Sequence, residues 1–87
     1  MNTEHINSFK EKLDQHYAWP ALYTFKFIVP IEKQAELKGL FPNHSSSEKL
    51  SANGKYTSIT LQMMMASSQA VIDIYLTASK IEGLIAL

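Results

Sequence analysis

Three histidines, His5, His16 and His44, are the side chains best suited to bind a metal or move a proton near neutral pH. They fall on the leading segment, at its end and in a distant loop, and no spacing among them would bring two imidazoles onto one ion. The absence of cysteine removes thiol nucleophiles, thiolate metal sites and disulfides. No Ser, His and Asp set stands in a context that builds a nucleophile, and no glycine-rich loop is present to cradle phosphate. The sequence therefore reads as non-catalytic, with no metal and no cofactor. The run Met63-Met64-Met65 offers soft thioethers, but strand alternation sends Met63 and Met65 into a core and leaves Met64 on the opposite face.

What remains is binding chemistry. In "SANGKYTSITLQ", Ser51 to Gln62, a turn is followed by alternate polar residues: Tyr56, Ser58, Thr60 and Gln62. Lys26 and Thr24, on another alternating segment, would share their face, as would Ile28 and Met64. The candidate surface is Lys26, Ile28, Tyr56, Ser58, Thr60, Gln62 and Met64, a platform that could contact a ligand or another protein. The same Ser, Thr and Lys pattern also suits a half-exposed antiparallel sheet that binds nothing. An exposed Ile28 and Met64 call for a partner or a cover.

The elements that would position this surface follow from periodicity. Ile6, Phe9, Leu13 and Tyr17 recur at helical spacing among charged residues, predicting an amphipathic leading helix with Thr3 as its N-cap. Pro20 breaks it and favours an extended Trp19. "LYTFKFIVP" alternates, with Tyr23, Phe25, Phe27 and Val29 on one side and Thr24, Lys26 and Ile28 on the other. A short helix follows, burying Ala35, Leu37, Leu40 and Phe41. Asn53-Gly54 predicts a two-residue type I′ hairpin, which pairs Leu50 with Thr57 and Ser51 with Tyr56 and turns Leu50 inward. Ile59, Leu61, Met63 and Met65 then take the core face. The second helix of the domain is capped by Ser67 or Ser68, buries Val71, Ile72, Tyr75, Ala78 and Ile81, and stops at Gly83. "LIAL" closes the chain as a strand.

The order after the leading helix is βαββαβ. Right-handed crossovers give an α+β, ferredoxin-like sandwich: a four-stranded antiparallel sheet in the order 4-1-3-2 with two helices on one face, plus the extra N-terminal helix. The expected division is an N-terminal helical extension, residues 1–18, and one domain, residues 19–87. The stripe of the leading helix must be buried against the open sheet face, the helical layer or a second copy. Enzymes that hydrolyse acyl phosphates are built on this architecture, but that chemistry needs a cationic phosphate cradle of the kind arginine supplies. The eight cationic residues are all lysine, matched by eight acidic ones. Zero net charge and no arginine also disfavour nucleic-acid binding. No apolar run approaches the length of a membrane span, and "MNTEHINSFK" lacks a secretory signal, so the expected location is cytoplasmic.

The segments "ALYTFKFIVP", "LSANGKYTSITLQMMM" and "IYLTASKIEGLIAL" resemble the YbeD-like family of small, uncharacterised bacterial proteins, from roughly Trp19 to Leu87. The most specific elements are the aromatic-Lys strand after a proline (Pro20, Phe25, Lys26) and Ser-x-x-Gly-x-Tyr-x-Ser (Ser51, Gly54, Tyr56, Ser58). The resemblance implies a ferredoxin-like fold similar to ACT regulatory domains, which bind small effectors at interfaces between copies. It implies a regulatory or small-molecule-binding module; the other reading is a protein-interaction or scaffold module without such a ligand. Partners on these readings are a small-molecule effector, a second copy as homodimer, or another protein. The loop "VPIEKQ" carries no glycine to let a small molecule approach the backbone, a departure from the ACT effector pattern.

Overall fold

Alternation builds the centre of the molecule. In the computed structural model, which describes residues 3–87, the elements are α1 (Thr3–His16), β1 (Ala21–Pro30), a 3-10 turn (Ile31–Lys33), α2 (Gln34–Gly39), β2 (Ser47–Leu50), β3 (Tyr56–Met65), α3 (Ser68–Ala78) and β4 (Ile85–Ala86). The strands are antiparallel in the order β2-β3-β1-β4, the predicted ferredoxin-like sheet. β1 and β3 pair along their full lengths, Ala21 opposite Met65 through Pro30 opposite Tyr56. Their inward residues Phe25, Phe27, Val29, Ile59, Leu61, Met63 and Met65 are buried beneath Leu37 of α2 and Val71, Ile72 and Ala78 of α3. Full burial of such a side chain contributes about 1.5–3 kcal/mol.

The leading helix completes the helical layer. Leu13 is only 4% exposed and belongs to the core, while Ile6, Phe9 and Tyr17 pack against it. Phe9 meets Tyr75 of α3 edge-on at 5.6 Å, and Tyr17 meets Tyr23 of β1 at 5.5 Å. Of the three possible covers for its apolar stripe, the helical side of the molecule is the one used. Thr3 opens the helix, but its side chain, read as a cap, lies outside the described residues.

Several local expectations are corrected. The hairpin is not type I′, because Asn53 does not take positive φ; among the described residues only Gly54 (φ 73°) and Gly83 (φ 81°) do. The Gly54 N–H instead bonds the Ser51 carbonyl at 3.0 Å, closing a turn inside a longer loop. The register survives, with Leu50 opposite Thr57 and the Ser51 N–H on the Tyr56 carbonyl at 2.8 Å. Leu50 takes the side of buried Thr57, yet it is 57% exposed, because β2 is the sheet edge and all four of its residues are exposed. α2 is too short to bury four residues: Leu37 is enclosed and Phe41 half-buried, whereas Ala35 and Leu40 are exposed.

α3 ends at Ala78, before Gly83. Ser67 is its N-cap, accepting the Ala70 N–H at 3.1 Å. Gly83 lies in the turn into β4, where a Cβ would stand 2.7 Å from the Pro30 side chain. The glycine is required by the close approach of that turn to β1 as well as by its φ.

Candidate functional site

The face of β1 and β3 turned away from the helices is assembled in rows by the register. Leu22 stands opposite Met64, Thr24 opposite Gln62, Lys26 opposite Thr60 and Ile28 opposite Ser58. Ser47 and Lys49 extend the last two rows on β2, and Ile85 extends the Ile28 row on β4. Tyr56 closes the row at the hairpin end, opposite Pro30. Lys26, Ile28, Tyr56, Ser58, Thr60, Gln62 and Met64 therefore share one surface. No described helix covers it.

The surface has apolar ends and a polar middle. At one end Leu22 is 56% exposed and Met64 67%; at the other, Ile28 lies beside Ile85, which is 52% exposed. In the middle the Gln62 side-chain amide donates to the Thr24 hydroxyl at 3.2 Å. Lys26 and Lys49 are its charges, and no described carboxylate shares it. Glu48, the acidic residue of β2, takes the opposite side, opposite Ile59. There Lys38 pairs with it and the Gln34 amide donates to it at 2.8 Å, and the lysine hydrogen bond holds its carboxyl below the usual range. A hollow of about 230 Å³ beside the hairpin gathers Ile28, Lys49, Leu50, Tyr56 and Ser58 but leaves out Lys26, Thr60 and Gln62.

The turn residues Ser51, Asn53 and Gly54 act on the backbone. Ser51 Oγ accepts the Tyr56 N–H at 3.1 Å and donates to Asn53 Oδ1 at 2.9 Å, and that oxygen also accepts the Lys55 N–H at 3.0 Å. Their pattern is explained by closing the hairpin that starts β3.

A family model described as "Protein of unknown function (DUF493)" matches residues 14–87. The chain belongs to this family. The YbeD-like resemblance carried by Ser51, Gly54, Tyr56 and Ser58 is a resemblance to DUF493. No curated protein and no solved structure matches the chain. In this DUF493 chain, the family motif spans two roles: Ser51 and Gly54 shape the turn, while Tyr56 and Ser58 stand on the open face.

Among the described residues no three His, Asp or Glu side chains gather as a metal site, and no helix is long and apolar enough to cross a membrane. Two clusters escape sequence reading because each contains a pair far apart in the chain, Tyr23 with Tyr75 and Asp14 with Ser68. One is aromatic: the Tyr23 and Tyr75 hydroxyls lie 3.0 Å apart, and burial, reinforced by that contact, pushes the Tyr75 hydroxyl pKa up. The other centres on Asp14. Its carboxyl is held below the usual range by a hydrogen bond from Ser68, then by the Trp19 indole N–H at 2.9 Å, tying α1 to the start of α3.

Proposed function

We propose that this chain is a non-catalytic binding module that engages another protein through the open face of its sheet. The observation that carries the reading is the uncovered surface itself, with large apolar side chains exposed at both ends around Lys26. A broad face of this kind suits protein association, whereas a small-molecule site is concave with converging polar groups. Self-association by a face-to-face two-fold through the middle of β1 would set Lys26 against Lys26, so a different chain is the better partner. An ACT-like regulatory role with a small effector is the second reading, favoured by the hollow that gathers Ile28, Tyr56 and Ser58.

The test is capture of partners from a lysate of the source cells by the wild-type chain, Met64→Glu and Tyr56→Ala, with the mass of the free protein measured alongside. Loss of the same partner in both variants, from opposite ends of the face, supports the reading. Identical capture by all three rejects it. NMR shifts with pooled amino acids and central metabolites, clustered on Ile28, Tyr56 and Ser58, would favour the effector reading instead.

A further inference from the structure

β1 is ten residues long, but its neighbour β4 pairs only with Phe27 and Ile28. The Leu87 N–H bonds the Lys26 carbonyl at 2.9 Å, so the main-chain groups of Lys26 point to the β4 side. That direction alternates along an antiparallel strand, which turns the N–H and C=O of Thr24 and Leu22 the same way. Among the described residues no strand lies beside them there. Both residues are exposed, and "ALYTF", Ala21 to Phe25, has neither the charge nor the proline that blunts a sheet edge. The opposite edge, β2, carries Glu48 and Lys49 within four residues.

On the helical side near this edge, Phe9, Tyr23, Tyr75, Ala86 and Leu87 line a hollow of about 240 Å³. The side chains that line it are apolar apart from the Tyr23 and Tyr75 hydroxyls, which lie 3.0 Å apart. We propose that the free edge of β1, from Leu22 to Phe25, takes an extended segment of another polypeptide as an added strand in line with β4. The segment alternates apolar and acidic residues. Added strands gain affinity from main-chain hydrogen bonds and specificity from pockets for alternate side chains. A residue opposite Tyr23 or Phe25 faces the helical side, where the aromatic hollow accepts an apolar group. Its neighbours, opposite Leu22 and Thr24, face the open side. There Lys26 is one diagonal step away, and no described carboxylate shares that face to pair with it. The edge shares Leu22, Thr24 and Lys26 with the open face, but its main-chain groups lie in the plane of the sheet, and the proposal does not depend on that surface having a partner.

The decisive variant is Thr24→Pro. It removes the outward N–H without removing a β1–β3 ladder bond, since only the inward residues of β1 exchange main-chain bonds with β3. Thr24→Ala is the control, losing the same hydroxyl contact to Gln62 while keeping the N–H. The probe is a blocked peptide alternating Val and Glu around a central Phe, titrated into the isotope-labelled full chain. Binding should shift and slow the exchange of the Leu22 and Thr24 amides and move the ring signals of Phe9 and Tyr75. Affinity should fall about tenfold or more in Thr24→Pro, where a partner carbonyl is left unmatched, and stay unchanged in Thr24→Ala. A peptide N-methylated at alternate amides should fail on the wild-type chain, which keeps the test independent of how Thr24→Pro folds. Tyr56→Ala, which probes the open face, should leave peptide affinity unchanged. Shifts confined to the open face, no binding, or equal binding of the N-methylated peptide would overturn the proposal. So would a dimer of the free chain that Thr24→Pro converts to monomer, because the occupant would then be a second copy.

Discussion

The two faces of β1 and β3 share one backbone and one register, yet they differ in almost every physical respect. On the helical side Phe25, Phe27, Val29 and Ile59 are closed from solvent; on the other, Leu22 and Met64 are more than half exposed. The carboxylates with depressed pKa values, Asp14 and Glu48, are engaged on the helical side, while Lys26 and Lys49 stand on the open one. Stability is thus concentrated on one face. Substitutions on the other can be read as tests of association with little interference from folding.

The largest expected effect is on the buried side. Phe27→Ala removes a fully enclosed ring that stacks with Phe25 at 6.1 Å and meets Tyr75 edge-on at 5.9 Å. It should cost about 3–5 kcal/mol in chemical denaturation. A loss near that of an ordinary surface substitution would break the asymmetry of the faces.

A second prediction separates the two glycines with positive φ. Gly83→Ala combines an unfavourable φ with a Cβ 2.7 Å from Pro30, and both terms act against the turn that seats β4 on β1. About 1–3 kcal/mol is expected. Gly54→Ala has the same φ problem in open space and should cost less, about 1 kcal/mol. Equal losses would show that the approach to Pro30 relaxes freely.

The third concerns acid. Asp14 is held below its ordinary pKa in the folded chain, so its stabilising contribution is complete above the unfolded value, about 3.9, and is lost as pH falls through the lower folded value. Glu48 behaves in the same sense. Trp19 emission should hold steady from neutral pH to about pH 5 and change only below the carboxylate range. Asp14→Asn keeps an acceptor for the indole but should flatten that limb. Amides of the open face, which carries no described carboxylate, should keep their neutral pattern until the sheet itself unfolds.

How much of this could be read from the sequence depends on the range of the interactions. Strand alternation is local, so "LYTFKFIVP" and "YTSITLQMMM" assign both faces before any coordinate is known. A register follows from one turn, which is why Leu50 and Thr57 pair as expected even though the turn type differs. The Asn53 side chain accepts bonds from Ser51 and Lys55 and holds the loop without the left-handed φ that type I′ demands. By contrast, the approach of Gly83 to Pro30, the bond of Asp14 to Ser68, and the choice of surface that covers Leu13 depend on tertiary packing. No pattern within one segment encodes them. Leu50 shows the limit: its side of the sheet was legible, but its exposure depends on how far a short α2 reaches over the edge strand.

The smallest expected effect is the most informative about the open face. Met64→Ser removes an apolar group that is already 67% exposed and sits opposite Leu22, itself exposed. If the face is free in the isolated chain, stability should change by no more than about 0.5 kcal/mol, as at an ordinary surface position. A larger loss, with unchanged monomer mass, would mean that Met64 is covered within the chain. A loss that grows with protein concentration would mean that a second copy covers it, since binding stabilises the folded state by mass action. The contrast with Phe27, on a strand paired with the same β3, then separates residues that build this sheet from residues it presents to a partner.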